Sequence, residues 1–375
     1  MKSRNLSMLA LALVIGIGAW HTTQRKAPTT ELEAAPLYPG LLDRVNEAAR
    51  LGVSSNDGTV TIVRTGDAWQ LEEFDGYPVD VAKVRQALLQ LASLEVLETK
   101  TRKPEKYADI GVEDRAAPSA TSTAVTVVGG DGTPLVDLLL GKTRESRTVN
   151  APGHYVRRAG EATAYLVEGE LAVPAKALDW IDTAVVDLSV ERVRQVTIQP
   201  ATGEPIVVAK PRPDVQLYDL VNLPAGREVR AKATVSSIGG LLLDARLERV
   251  GKATRVQGAA PSATATVETF DGLTANVRRF EVDGTPWLTF EFVHTPDKAV
   301  APPPAAEPAT DAAATMAPEP APATPKKPEE VAREVADLNA RVQGWAFVLP
   351  DYKSRLLDKR LEDVVKKSEP KKPAK

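Results

Sequence analysis

Two stretches decide how this chain reads: PAKALDWIDTAVVDL at residues 174–188 and PDYKSRLLDKRLEDV at residues 350–364. Set against each other without a gap, Pro174, Ile181, Asp182, Val185, Asp187 and Leu188 fall opposite Pro350, Leu357, Asp358, Leu361, Asp363 and Val364. Working back from that register, residues 45–188 and 189–366 run through one order of signals, the mark of a repeated unit. Each begins with a strand pair closing on Trp69-Gln70-Leu71 or Val215-Gln216-Leu217, then has a helix, hairpin strands, and a strand running into proline and an amphipathic segment. The order predicts an α+β fold: two tandem related modules, each a mainly antiparallel sheet with covering helices, behind an N-terminal membrane anchor.

Local signals fill in that outline. Asn56-Asp57-Gly58 is a hairpin turn sequence, and Thr59 to Arg64 and Trp69 to Phe74 read as paired strands. Asp80 is placed to cap a helix with Val81, Val84, Leu88 and Leu91 on one face and Val79 stapled to Val84. The second copy spaces Val235, Ile238, Leu242 and Ala245 similarly, although Gly239-Gly240 costs about 1 kcal/mol per residue against Ala in a helix. Hairpins follow in both halves: Thr123–Val128 with Leu135–Leu140, His154–Arg158 with Thr163–Glu168, Ala263–Thr269 before Asp271-Gly272, and Val277–Val282 with Trp287–Val293 around Asp283-Gly284. Near 298–328 the composition collapses to Ala, Pro, Thr and Glu, which cannot build a core and predicts a disordered insertion inside the second module. A helix near Glu329 to Ala340, a strand at Trp345–Leu349 and an amphipathic helix from Asp351 to about Val365 then complete it.

The N-terminus carries Lys2 and Arg4, a largely apolar run from Leu6 to Trp20, and then His21-Thr-Thr-Gln-Arg-Lys26. A basic front before an apolar run is an export signal. The run is shorter than the roughly 20 residues that span a bilayer, but tilt and snorkelling of its flanks extend it. The only Ala-x-Ala of this N-terminal segment, at Ala10 and Ala12, lies inside the run, so an uncleaved anchor is favoured over a cleaved signal peptide. The expected organisation is a signal anchor at 1–26, a spacer at 27–41, a first module at 42–188, a second at 189–366 and a basic tail at 367–375. With its basic front inside, the bulk of the chain faces outward.

Composition narrows the partners. The 375 residues match two domains of ordinary size. A formal net charge of -3 and 5% aromatic residues give no field for nucleic acid and few platforms for stacking on bases. The absence of cysteine removes disulfides, thiolate metal sites and a lipid-bearing cysteine, so anchoring falls to the helix itself.

Motifs that carry chemistry are weak here. Leu140-Gly141-Lys142-Thr143 imitates the end of a phosphate-binding loop, but the first glycine such a loop requires falls at Val136. His21, His154 and His294 are far apart with no metal-ligand spacing. Glu72-Glu73, Asp179 with Asp182, and Glu362-Asp363 pair carboxylates among exposed polar neighbours, as solvated faces do. No catalytic, cofactor or metal residue is assigned.

Trp69-Gln70-Leu71, the helix from Asp80, Tyr107 with Ile110-Gly111-Val112-Glu113, Leu140-Gly141-Lys142, Tyr155-Val156-Arg157, Tyr165-Leu166-Val167, and Gly344-Trp345 with Tyr352-Lys353 together resemble a bacterial family known as domain of unknown function 4340. The similarity spans most of residues 45–365. The genes of that family often stand beside those of gliding-motility-type ABC transporters, and the resemblance implies an exported, membrane-anchored protein associated with a transporter. It brings no catalytic residues with it.

The expectation is a single-pass protein of the bacterial inner membrane with its bulk in the periplasm. It would act as a non-enzymatic accessory or scaffold of an ABC-type transport or envelope system, needing no cofactor and partnered by the membrane and a permease or other envelope protein. One alternative is a binding module for a glycan or envelope polymer, with a groove lined by Trp69, Tyr155, Trp180, Trp287 or Trp345. Another is a hydrolase using serine or carboxylate chemistry. Exposed, clustered tryptophans would mark the first and a buried cluster of carboxylates with serine or lysine the second.

Overall fold

A computed structural model describes residues 35–144, 153–299 and 326–368. The expected anchor, most of the spacer and of the Pro/Ala insertion, and the tail from Glu369 lie outside the described residues. Among those that are described, no helix is long and apolar enough to cross a membrane. The fold is α+β, mostly antiparallel sheet. It divides into two compact units, one of residues up to Trp69 and Asp80–Lys176, the other of Gln70–Val79 and Ala177 onward.

The first unit contains β1 (Ala35–Pro36), β2 (Ala48–Ser54), β3 (Thr59–Thr65) and the start of β4 (Ala68–Leu71); the end of β4 and its partner β5 (Tyr77–Pro78) belong to the second unit. Helix α1 (Val81–Ala92) follows, then β6 (Glu95–Thr101), β7 (Thr123–Gly129), β8 (Pro134–Arg144), β9 (Gly153–Arg158) and β10 (Ala164–Glu168). Its strands lie in the order β1-β6-β10-β9-β8-β7-β2-β3. The Asn56-Asp57-Gly58 turn joins β2 to β3, with Val53 opposite Val60; β4 lies on the other side of β3 as expected, but its strand ends at Leu71 rather than Phe74. Asp80 caps α1 by accepting the Ala82 N–H at 2.9 Å, as its side chain predicts. Val84, Ala87, Leu88 and Leu91 are buried on that helix, whereas Val81 is turned to solvent at 42% exposure, so the apolar face is narrower than its sequence spacing suggests.

After Gln70–Val79 the second unit continues with β11 (Ala184–Val186), β12 (Val193–Pro200), β13 (Ile206–Ala209), β14 (Asp219–Leu220) and β15 (Arg227–Val229). Then come α2 (Lys232–Gly239), β16 (Ala245–Arg246), β17 (Arg249–Lys252), β18 (Ala263–Thr269), β19 (Leu273–Val282) and β20 (Thr285–His294). Helix α3 (Pro328–Val342), β21 (Trp345–Val348), α4 (Asp351–Leu357), α5 (Leu361–Val364) and β22 (Val365–Lys367) complete the described chain. An eight-stranded antiparallel sheet runs β14-β13-β12-β18-β19-β20-β21-β17, and β11 with β16 and β15 with β22 form two small ribbons. Strand β18 buries every second residue, so its other face stays half exposed. Asp283 and Gly284 both take positive φ, 52° and 70°, the backbone a two-residue hairpin turn needs to match strand twist.

Three expectations are corrected in this unit. Val215-Gln216-Leu217 is not a strand: the strand lies earlier, at β13, and Leu217 is 52% exposed. The helix around Val235 and Ile238 ends at Gly239, leaving buried Leu242 beyond it and Ala245 in a strand. The segment after Asp351 breaks into α4 and α5 rather than one helix. Ile181, Val185 and Leu188 are buried, and so are Leu357, Leu361 and Val364.

Candidate functional site

The densest cluster of charges lies in the second unit, where residues distant in sequence meet on Arg192. Arg192 precedes β12; its Nε donates to Asp271 Oδ2 at 2.7 Å. Its two terminal nitrogens donate to Glu334 Oε1 and Oε2 on α3 at 2.7 and 2.6 Å, a bidentate fork. Thr269 Oγ1 donates to Asp271 Oδ1, and Lys326 Nζ lies 3.0 Å from Glu334 Oε2. Burial pushes the Glu334 carboxyl up, but hydrogen bonds from Arg192 and Lys326 outweigh it and hold the group below its ordinary range. A general acid or base must exchange its proton near the working pH. Here opposite charge keeps the carboxylate ionised, and every carboxylate oxygen of the pair already accepts a hydrogen bond.

Two buried lysines in this unit are held by backbone. Lys210 Nζ donates to Pro213 O and Val215 O at 3.0 and 2.9 Å, and stands 5.4 Å from the centre of the Tyr218 ring. Lys353 Nζ donates to Gly240 O and Leu243 O at 2.8 and 2.5 Å, closing the carbonyl end of α2. Burial lowers both from the ordinary lysine value. In the first unit Arg157 is built the same way. It is 3% exposed, donates to Val112 O, Glu161 O and Asp114 Oδ1, and lies 4.4 Å from the centre of the Tyr107 ring. Such groups fix loops against sheets, because a buried cation is retained only where several acceptors surround it.

The residues singled out by sequence do not converge. Trp69, Trp180 and Trp287 are buried, Tyr155 packs with Tyr107 and Val112, and Trp345 meets Tyr77 edge to face at 4.9 Å. Glu72, Glu73, Asp179, Asp182, Glu362 and Asp363 are exposed; Asp182 accepts the Ala184 N–H and Asp363 the Arg360 N–H, both short turn contacts. Lys142 donates to Asp109 O, and a Cβ on Gly141 would overlap Ile110 O, so that segment is a strand under close backbone approach. His154 is buried in β9 and held below its ordinary value by that burial; His21 lies outside the described residues. No group of His, Asp or Glu suited to a metal occurs among the described residues. The Arg192 cluster escaped sequence reading because its members lie 79 and 142 positions apart.

No curated protein matches the chain. The family described as domain of unknown function (DUF4340) matches residues 69–263, more than half of the sequence, and the chain belongs to that family.

Proposed function

We propose that the chain is a non-enzymatic accessory or scaffold protein of the bacterial inner membrane, anchored through residues 1–26 with its two units in the periplasm and associated with an ABC-type transport or envelope system. The observation that carries this reading is the inward satisfaction of its ionisable clusters. Arg192, Asp271, Glu334, Lys210, Lys353 and Arg157 each spend their hydrogen bonds on backbone or on neighbouring side chains. Chemistry of that kind makes rigid surfaces rather than reacting centres. The burial of Trp69, Trp180 and Trp287 also weighs against a tryptophan-lined polymer groove.

The two units are further read as related modules. Numbering only the corresponding strands of each along the chain, both sheets have the order 3-7-6-5-4-1-2: β6-β10-β9-β8-β7-β2-β3 in one and β17-β21-β20-β19-β18-β12-β13 in the other. A helix stands between the second and third strands in both, α1 and α2. Tandem repetition of a rigid sheet suits a spacer or scaffold.

The test is a crosslinked pull-down from membranes with the full chain. Recovery of an ABC permease with the chain in the membrane fraction is the expected outcome. A chain found wholly in the soluble periplasmic fraction, or crosslinks that never include a transporter or envelope partner, would overturn the reading.

A further inference from the structure

The β15–β22 ribbon carries a charge arrangement that folding alone disfavours. Its register sets Arg227 directly opposite Lys367 and Glu228 opposite Lys366. Lys366 is neutralised, with Nζ 3.1 Å from Glu228 Oε1. Arg227 and Lys367 are not: both are exposed, and neither has an acidic partner among the described residues. Like charges directly opposed across a ladder are destabilising. Arg230 adds a third exposed cation, held at the base of the ribbon by donating to Val365 O at 3.3 Å, and Lys232 a fourth at the start of α2, where a helix favours acids. In sequence, Lys371, Lys372 and Lys375 follow with only Glu369 against them. An uncompensated like-charge pair with further exposed cations close by in sequence is a local conflict of the kind that functional surfaces carry.

We propose that this ribbon is a docking surface for the phosphate headgroups of an anionic phospholipid membrane. The inference rests on the membrane-anchored reading and deepens it, giving the second unit its own contact with the bilayer. Flexible lysine and arginine side chains in a row suit a surface of mobile phosphates, each basic residue strengthening attachment about fivefold. Neither ribbon strand carries an aromatic residue on which a nucleic-acid base would stack, and the chain as a whole is acidic by 3 charges. The ribbon is therefore a local positive feature on a protein without a general affinity for polyanions.

The test reconstitutes the full chain into nanodiscs of phosphatidylglycerol or of phosphatidylcholine and follows amide exchange at residues 227–230 and 365–368. Exchange there is expected to slow at least fivefold in phosphatidylglycerol, an effect lost in K367E and weakened by 0.5 M salt, on the order of a few ångström of Debye length. K367E is the discriminating variant, because its carboxylate faces Arg227 and thermal stability should hold or rise while lipid protection disappears. Equal exchange in the two lipids, or protection that survives K367E, would overturn the proposal. So would the same protection from inorganic phosphate added to phosphatidylcholine discs, which would show a free-anion site instead. A chain that failed to enter discs would refute the anchor; co-sedimentation of that chain with preformed phosphatidylglycerol against phosphatidylcholine vesicles would still decide the ribbon.

Discussion

Tyr218 and Gly239 are in direct contact, with the tyrosine ring occupying the space a side chain at 239 would fill. The ring is 1% exposed, and its hydroxyl lies 2.7 Å from Val193 O, so α2 is joined to the start of β12 through one side chain. By helix propensity alone, Gly239→Ala would stabilise the protein by up to about 1 kcal/mol. The contact reverses that sign, because a Cβ there would overlap three ring carbons of a side chain fixed at both ends. We expect a loss of about 1–3 kcal/mol, the usual range for overpacking. Urea denaturation of the full chain checks it, and a stabilised variant would show that the ring yields freely.

Lys353 gives a pH dependence of definite sign. Burial lowers it from the ordinary value of 10.5, so in the alkaline range below that value the unfolded chain holds a proton the folded chain has released. Stability then rises with pH through that window, and the contribution of this lysine is least favourable at neutral pH. Lys353→Met keeps the shape but leaves Leu243 O without its donor and Gly240 O with the Leu243 N–H alone, a cost of about 1–3 kcal/mol. The deficit of the variant relative to the unmodified chain should grow between pH 7 and pH 10, as measured by urea melts at both. A deficit that shrinks on alkalinisation would contradict the buried-cation account.

What sequence could and could not supply follows from how local each feature is. The Asp283-Gly284 hairpin, the Asp80 cap and strand β18 were legible because turn chemistry, capping and alternation act within a few residues. Val215-Gln216-Leu217 misled because it alternates like the strand at Trp69, yet Pro211 and Pro213 precede it and Lys210 takes two of the carbonyls around it. Val81 carried the right spacing for the buried face of α1 but stands in its first turn, where it remains exposed. The Arg192 fork and the Arg227–Lys367 opposition were out of reach, since both depend on which distant strands and helices become neighbours.

The fork makes an acid-sensitivity prediction. Glu334 is held below its ordinary carboxyl value of 4.5, so its contribution is complete above that value and is lost as pH falls through the lower folded value. Glu334→Gln removes the charge while keeping the shape, and leaves Arg192 paired only with Asp271. The expected cost is about 1–3 kcal/mol at pH 7 for a hydrogen-bonded ion pair that is only partly buried. As pH falls from 4.5 through the lowered folded value the two proteins should converge in stability. Acid titration followed by tryptophan fluorescence tests this, and a gap that persists unchanged into acid would mean that the pair contributes through packing alone.

The residues after the Pro/Ala-rich stretch look like a tail in sequence yet occupy the interior of the second unit. Strand β21 lies between β20 and β17, pairing Phe347 with Leu288 and with Val250. Ala346 and Phe347 are fully buried, and Leu349, Leu357, Leu361 and Val364 are nearly so. Each large apolar side chain buried is worth about 1.5–3 kcal/mol, and together they rival the 5–15 kcal/mol net stability usual for a domain, before the loss of strand pairing is counted. A chain ending at Pro328 should therefore lose the fold of the second unit, although it keeps β12 to β20. In limited proteolysis, cuts should appear throughout residues 189–297 in the truncated protein and be absent from the full chain. Continued protection of those residues would separate β21 from the cooperative core and, with it, remove the equivalence of β21 and β10 on which the reading of two related modules depends.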